Sequence, residues 1–252
     1  MTKRSIVLAT VMLLAAGAAH AQERFNNHQW SLNAGTMSVP EATFLNLDRQ
    51  PIEGADPSAL MPWTAGVRCE RERMATDRLG WGWSLGLGLR HTGWTATVPA
   101  LTPGVGNTGL VPDEDWTLRI PLMGLWGEGG AYGSLHLSGT FEVYAGLGLA
   151  AVHYWNIGGE AQCASYTDDA ASGSVLEGLS STLLGAYGLL GLKMTFADDF
   201  FVSLSARYAY GLNDGGTDGL FDFEGAFYST RVAAPFTSDL AIMLGVGIMF
   251  ED

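Results

Sequence analysis

Apolar and polar residues alternate along most of this 252-residue chain after residue 21, the period-two pattern of β-strands with two unlike faces. One parity carries Trp116, Leu118, Ile120, Leu122 and Trp126, against Thr117, Arg119 and Pro121. A second segment sets Phe200, Val202, Leu204, Ala206, Tyr208 and Tyr210 against Ser203, Ser205 and Arg207. A third sets Leu240, Ile242, Leu244, Val246, Ile248 and Phe250 against Gly245 and Gly247. In each, large apolar residues stand ten positions apart on one face: Trp116 and Trp126, Phe200 and Tyr210, Leu240 and Phe250. At about 3.3 Å per residue and a tilt near 40°, ten residues climb roughly 25 Å, the height of the lipid-facing band of a transmembrane barrel. Trp and Tyr at strand ends are also the side chains that settle at membrane interfaces.

Five more segments follow the same rule. Residues 29–39 turn Trp30, Leu32 and Ala34 outward, and 63–73 turn Trp63, Ala65, Val67 and Cys69 outward over Arg68 and Glu70. Residues 81–93 place Trp81, Trp83, Leu85, Leu87 and Leu89 over Gly82, Ser84, Gly86, Gly88 and Arg90. Residues 141–154 place Phe141, Val143, Ala145, Leu147 and Leu149 over Glu142, Tyr144, Gly146 and Gly148. Residues 183–196 are apolar on both parities, so their pattern fixes a strand without fixing its faces. The pattern predicts an all-β fold: an eight-stranded antiparallel up-and-down transmembrane β-barrel. The connections at 74–80, 127–140 and 197–199 are shorter on average than those at 40–62, 94–115, 155–182 and 211–238. Short turns face the periplasm in such barrels and long loops face outside. The aromatic girdle is expected from Trp30, Trp63, Trp81, Trp116, Trp126, Phe200, Tyr208, Tyr210 and Phe250.

The first residues set the compartment. Lys3 and Arg4 precede an apolar run from Ile6 to Ala19, and Ala19-His20-Ala21 supplies small residues where a signal peptidase reads. Cleavage is expected between Ala21 and Gln22, leaving 22–252 as one barrel domain. Fourteen apolar residues are too few for a membrane-spanning helix. The 13 basic residues, less Lys3 and Arg4, leave 11 against 26 acidic ones, about −15 for the mature chain. That balance argues against nucleic acid, which needs a basic face. The four long loops hold most of the acids, including Asp113-Glu114-Asp115 and Asp168-Asp169. Cys69 falls in a strand and Cys163 in a long loop; an oxidising compartment would allow them to pair.

The chain resembles the small outer-membrane barrels of the OmpA, OmpX and OmpW type. Arg119-Ile120-Pro121-Leu122 resembles a strand with an I-P-L element in porin-family barrels, and Tyr144-Ala145-Gly146-Leu147-Gly148 resembles the glycine-rich strand after it. The final strand ending in Phe250 resembles the C-terminal signal read by the barrel-assembly machinery, although Glu251 and Asp252 follow the aromatic. The resemblance implies export by the general secretory route and a monomer in the outer membrane. Its surroundings would be outer-membrane lipid and lipopolysaccharide, and the assembly machinery its partner during biogenesis.

Little in the sequence points to chemistry. An eight-stranded barrel is just wide enough for side chains to fill, and the inward charges are read as Arg68, Glu70, Arg90, Arg119, Glu142, Lys193 and Arg207. They form either a polar conduit for small solutes or a structural salt-bridge network. Some barrels modify lipid A, which needs a nucleophile beside a base; His91 next to Thr92 is the nearest approach, and a non-enzymatic protein is expected. The run from Asn213 to Gly219 spaces carboxylates with glycines in a way that suits calcium or ordinary turns. Two cysteines without CxxC spacing offer no zinc site, and no cofactor is expected. The remaining alternative is a secreted soluble β-sandwich.

Overall fold

The computed structural model describes residues 27–38, 43–45, 51, 53–98, 115–158, 160–163, 166–168, 174–175, 181–196, 199–213, 216–223, 228–235 and 238–251. The cleavage site at Ala21 and Gln22, Asp113-Glu114, Asp169, the centre of the 213–219 run and the side chains of Trp116 and Cys163 lie outside the described residues.

Eight strands form a closed ring: β1 Asn27–Met37, β2 Trp63–Met74, β3 Leu79–Val98, β4 Trp116–Ser138, β5 Phe141–Asn156, β6 Ser181–Phe196, β7 Phe200–Gly211 and β8 Ser238–Glu251. Each pairs antiparallel with the next, and β8 returns to β1 from Asn27↔Glu251 to Met37↔Ala241, so the ring has no free edge. Tight turns at 75–78 and 139–140 close one end, the turn end, where β6 and β7 also meet at Phe196↔Phe200. At the first of these, the Thr76 hydroxyl accepts from the amides of Arg78 and Leu79 at 3.3 and 3.0 Å. At the other, loop end, the β3–β4 ladder continues to Val98↔Trp116. Asp56–Ala59 adds to β3, and Glu160–Cys163 adds to β4. A second sheet assembles Ser174–Val175, Gly216–Phe223, Tyr228–Pro235 and Thr43–Leu45 from three different loops.

The outer wall is a continuous apolar band: Leu32, Leu87, Leu147, Leu190, Leu204, Leu244 and Val246 are all exposed. A soluble protein would bury such a surface, whereas hydrocarbon solvates it at no cost. Leu147, 74 % exposed, lies midway between Phe141 and His153 on the outward face of β5. Leu147→Arg is therefore expected to destabilise the barrel by about 2–4 kcal/mol in lipid, measured by denaturant unfolding in vesicles.

The band corrects the reading of 116–126. Leu118, Ile120, Leu122 and Trp126 are buried inside the ring, and Arg119 faces outward. The strand does not stop at Trp126 but runs to Ser138, so the expected connection at 127–140 shrinks to a turn at 139–140. In that lower half, Glu128, Tyr132 and Ser134 point in while Leu125, Leu135 and Leu137 point out. The β3–β4 ladder runs from Leu135 to Trp116 without a register shift, so the parity of the lower half holds for Ile120 as well. Apolar residues fit inside there because the surrounding lumen wall is itself apolar, with Trp94, Val152 and Leu183 all buried. Trp126 fits because three strand glycines make room. A Cβ on Gly66, Gly86 or Gly88 would come 2.6, 2.9 or 2.8 Å from its ring.

Candidate functional site

Below Trp94 on β3 and Ile120 on β4, the lumen is ionic. Glu128 on β4 accepts from Arg68 on β2 at 2.5 Å and from Arg207 on β7 at 2.8 Å. Arg207 also reaches Asp239 on β8 at 2.8 Å, and Asp239 takes Arg90 on β3 at 2.5 Å. The chain Arg68–Glu128–Arg207–Asp239–Arg90 thus crosses the barrel and ties five strands, with every member less than a tenth exposed. Nearer the turn end, Lys193 on β6 donates to Gln29 on β1 at 2.6 Å, to Glu70 on β2 at 3.2 Å and to Glu142 on β5 at 3.4 Å. Arg68 lies 3.9 Å from Glu70 and joins the two groups. Arg90 stands 5.7 Å from the centre of the Trp126 ring, and Lys193 stands 5.1 Å from that of Tyr144. Beneath this layer, Glu72 accepts from the Ser134 hydroxyl and lies 3.3 Å from His136 Nε2. Potential ligand atoms of Glu72, His136 and Glu142 all lie within 4.8 Å of one another.

No family model matches the chain, and no curated protein does. Among solved structures, the outer membrane protein OprG of Pseudomonas aeruginosa matches with a TM-score of 0.53 at 18 % identity, over 91 % of this chain and 99 % of that one. The chain has the fold of a small outer-membrane β-barrel. The outer membrane protease OmpT of Escherichia coli is less similar, at a TM-score of 0.45 and 9 % identity over 89 % of this chain and 97 % of that one. A major outer membrane protein of Thermus thermophilus gives 0.44 and 11 %, over 88 % and 99 %.

Within this barrel, Arg68, Glu70, Arg90, Glu142, Lys193 and Arg207 share the lumen. Arg119 does not: it is exposed on the part of β4 that rises to the loop end, opposite Glu160 in the ladder. Sequence reasoning missed Glu72, Glu128 and Asp239. Glu72 continues the inward parity of Arg68 and Glu70 and was available to it; Glu128 and Asp239 fell respectively in and beside segments read as connections. Of the girdle residues, Trp30, Trp63, Trp81, Phe200, Tyr208, Tyr210 and Phe250 are exposed on the outer wall. Trp126 is not among them, for the reason given above. Cys69 is a free thiol on the outward face of β2.

His91 and Thr92 point to opposite sides of β3, the threonine buried and the histidine stacked on Trp63 at 5.9 Å. Adjacent residues of a strand cannot meet across one face, so they are not a nucleophile and its base. The His91 Nδ1 instead lies 3.2 Å from the Met61 carbonyl oxygen. On the same wall, His153 Nδ1 lies 3.0 Å from Thr182 Oγ1, and no described carboxylate is hydrogen-bonded to the ring. Asn213, at the edge of the proposed calcium run, accepts from the Leu184 amide and donates to the Thr182 carbonyl, both at 2.8 Å. Its side chain pins the loop to β6.

Proposed function

We propose that this integral outer-membrane barrel is non-enzymatic and sealed, with a structural role in the envelope and loops presented to the outside. The turn end faces the periplasm in this reading, and lipopolysaccharide surrounds the loop end. One observation carries it: the buried chain Arg68–Glu128–Arg207–Asp239–Arg90 joins opposite walls of the lumen. A hydrated ion moving along the axis would have to break these paired charges and then cross an apolar half packed with Leu118, Ile120 and Leu122. The salt-bridge reading of the lumen is therefore favoured over the polar conduit.

The test has two steps. Unheated protein from the outer-membrane fraction should migrate faster in SDS than boiled protein, because a closed ring has no edge from which to open. Reconstituted into a planar bilayer, the same folded protein should show no stable unitary conductance above the lipid baseline. A steady ohmic conductance from heat-modifiable protein would overturn the sealed-lumen reading. For the catalytic rival, lipid A from cells producing the wild type or His91→Ala should have the mass spectrum of lipid A from cells with empty vector. A wild-type change that His91→Ala abolishes would make the protein an enzyme.

A further inference from the structure

We propose that Glu72, His136 and Glu142 form a binding site for one divalent transition-metal ion at the turn end of the lumen.

Three observations converge on it. The first is charge. Among the described residues the lumen buries five carboxylates, Glu70, Glu72, Glu128, Glu142 and Asp239, against the four cations Arg68, Arg90, Lys193 and Arg207. Glu128 and Asp239 are engaged with arginines, so the surplus lies at the turn end, where Glu70 and Glu142 share one lysine and Glu72 is a third carboxylate beside them. The second is an orphan atom. Glu72 is 1 % exposed, and its Oε1 has both the Ser134 hydroxyl and His136 beside it, yet its buried Oε2 has no partner. A bare carboxylate oxygen out of water is costly, and an ion pair through Oε1 alone leaves it bare, whereas a cation held by both oxygens of Glu72 would satisfy it.

The third is geometry. Ligands held about 2.0–2.1 Å from a tetrahedral zinc stand roughly 3.3 Å apart. His136 Nε2 and Glu72 Oε1 are separated by 3.3 Å, and all three residues offer atoms within 4.8 Å of one another. A small movement of Glu142 closes the set. The His136 side chain is 24 % exposed and faces a vestibule of about 940 Å³, lined also by Ser138, Thr140, Glu142, Thr195 and Asp199, that opens at the turn end. An ion would have an entry path, and solvent could fill its remaining coordination positions. The imidazole selects a zinc- or iron-type cation over magnesium or calcium, which prefer all-oxygen shells.

Folded barrel in detergent, stripped with EDTA and exchanged into chelator-free buffer, would be titrated with ZnCl2 by calorimetry, with MgCl2 as the control. One zinc per chain is expected, with no magnesium heat of comparable affinity. His136→Ala and Glu72→Gln should each weaken zinc at least tenfold while remaining heat-modifiable in SDS. His136 is partly exposed at the mouth, so its truncation tests the site even if Glu72→Gln fails to fold. Cobalt(II) adds a direct readout: visible d–d bands in the wild type, absent in His136→Ala. No stoichiometric zinc in the wild type would overturn the site. Zinc binding undiminished in His136→Ala would place the metal on other acidic groups and would overturn it equally.

Discussion

Glu128→Gln is expected to destabilise the barrel by about 3–5 kcal/mol, the usual cost of removing one partner from a buried ion pair. Glu128 has no exposed side-chain surface and accepts from Arg68 and Arg207, which belong to strands on different sides of the ring. Glutamine keeps the shape but removes the charge, and each amide group can satisfy at most part of what two guanidinium groups require. Arg207 would keep Asp239, but Arg68 would keep only Glu70, 3.9 Å away. The measurement is denaturant unfolding in detergent micelles followed by tryptophan fluorescence, with the temperature of the SDS gel shift as a second readout. Arg119→Gln, on the exposed rim of β4, serves as the matched control and should lie within about 1 kcal/mol of wild type, the range for an exposed charge. The double variant Glu128→Gln with Arg68→Met should recover part of the loss, because it removes the stranded charge as well. Equal, small effects for Glu128→Gln and Arg119→Gln would mean that the ionic chain does not brace the ring.

The parts of this fold that could be read from the sequence are those where one parity is polar through the middle of the strand. In β7, Ser203, Ser205 and Arg207 alternate with Val202, Leu204 and Ala206, and both faces follow at once. In β2, Arg68 and Glu70 cannot face hydrocarbon, so Val67 must. The rule fails where the lumen is not polar. The loop half of this barrel is filled by Trp94, Leu118, Ile120, Leu122 and Val152, so near the top of β4 the inward face is the more hydrophobic one. A local window then assigns the faces backwards. The correction was available only from a distance: Glu128, Ser134 and His136 share the parity of Ile120, but glycines at 127, 129, 130 and 133 made their segment look like a connection. Those glycines are strand residues, and Gly130 leaves space for an aromatic ring. The Tyr187 hydroxyl would stand 2.7 Å from a Cβ on Gly130. The partners of the ionic network were hidden for a further reason. Arg90 and Asp239 are 149 residues apart, and only the closure of the ring sets them side by side.

The orientation of β4 has its own decisive test in two neighbouring residues. Ile120 has no exposed surface and packs inside the ring, whereas Arg119 is exposed on the outside. Ile120→Ala should therefore cost about 2–5 kcal/mol, the range for truncating a large aliphatic side chain in a packed interior that cannot collapse. The β-ladder makes collapse difficult here: β4 is held by β3 on one side and by β5 and the Glu160–Cys163 strand on the other. Arg119→Ala should cost less than about 1 kcal/mol, the range for losing an interaction of an exposed charge outside the lumen. A one-residue shift of a strand exchanges its two faces completely, so the opposite register predicts the reverse order. Arg119 would then be a buried charge whose loss strands its partner, and Ile120 a lipid-facing residue that tolerates alanine. Measuring both variants by the same micelle unfolding assay separates the two registers by their ranking alone. The ranking also bears on how the lumen is sealed. If Ile120 is the costly position, the loop half is a packed apolar plug above the ionic layer, and a polar solute meets two successive barriers of opposite character.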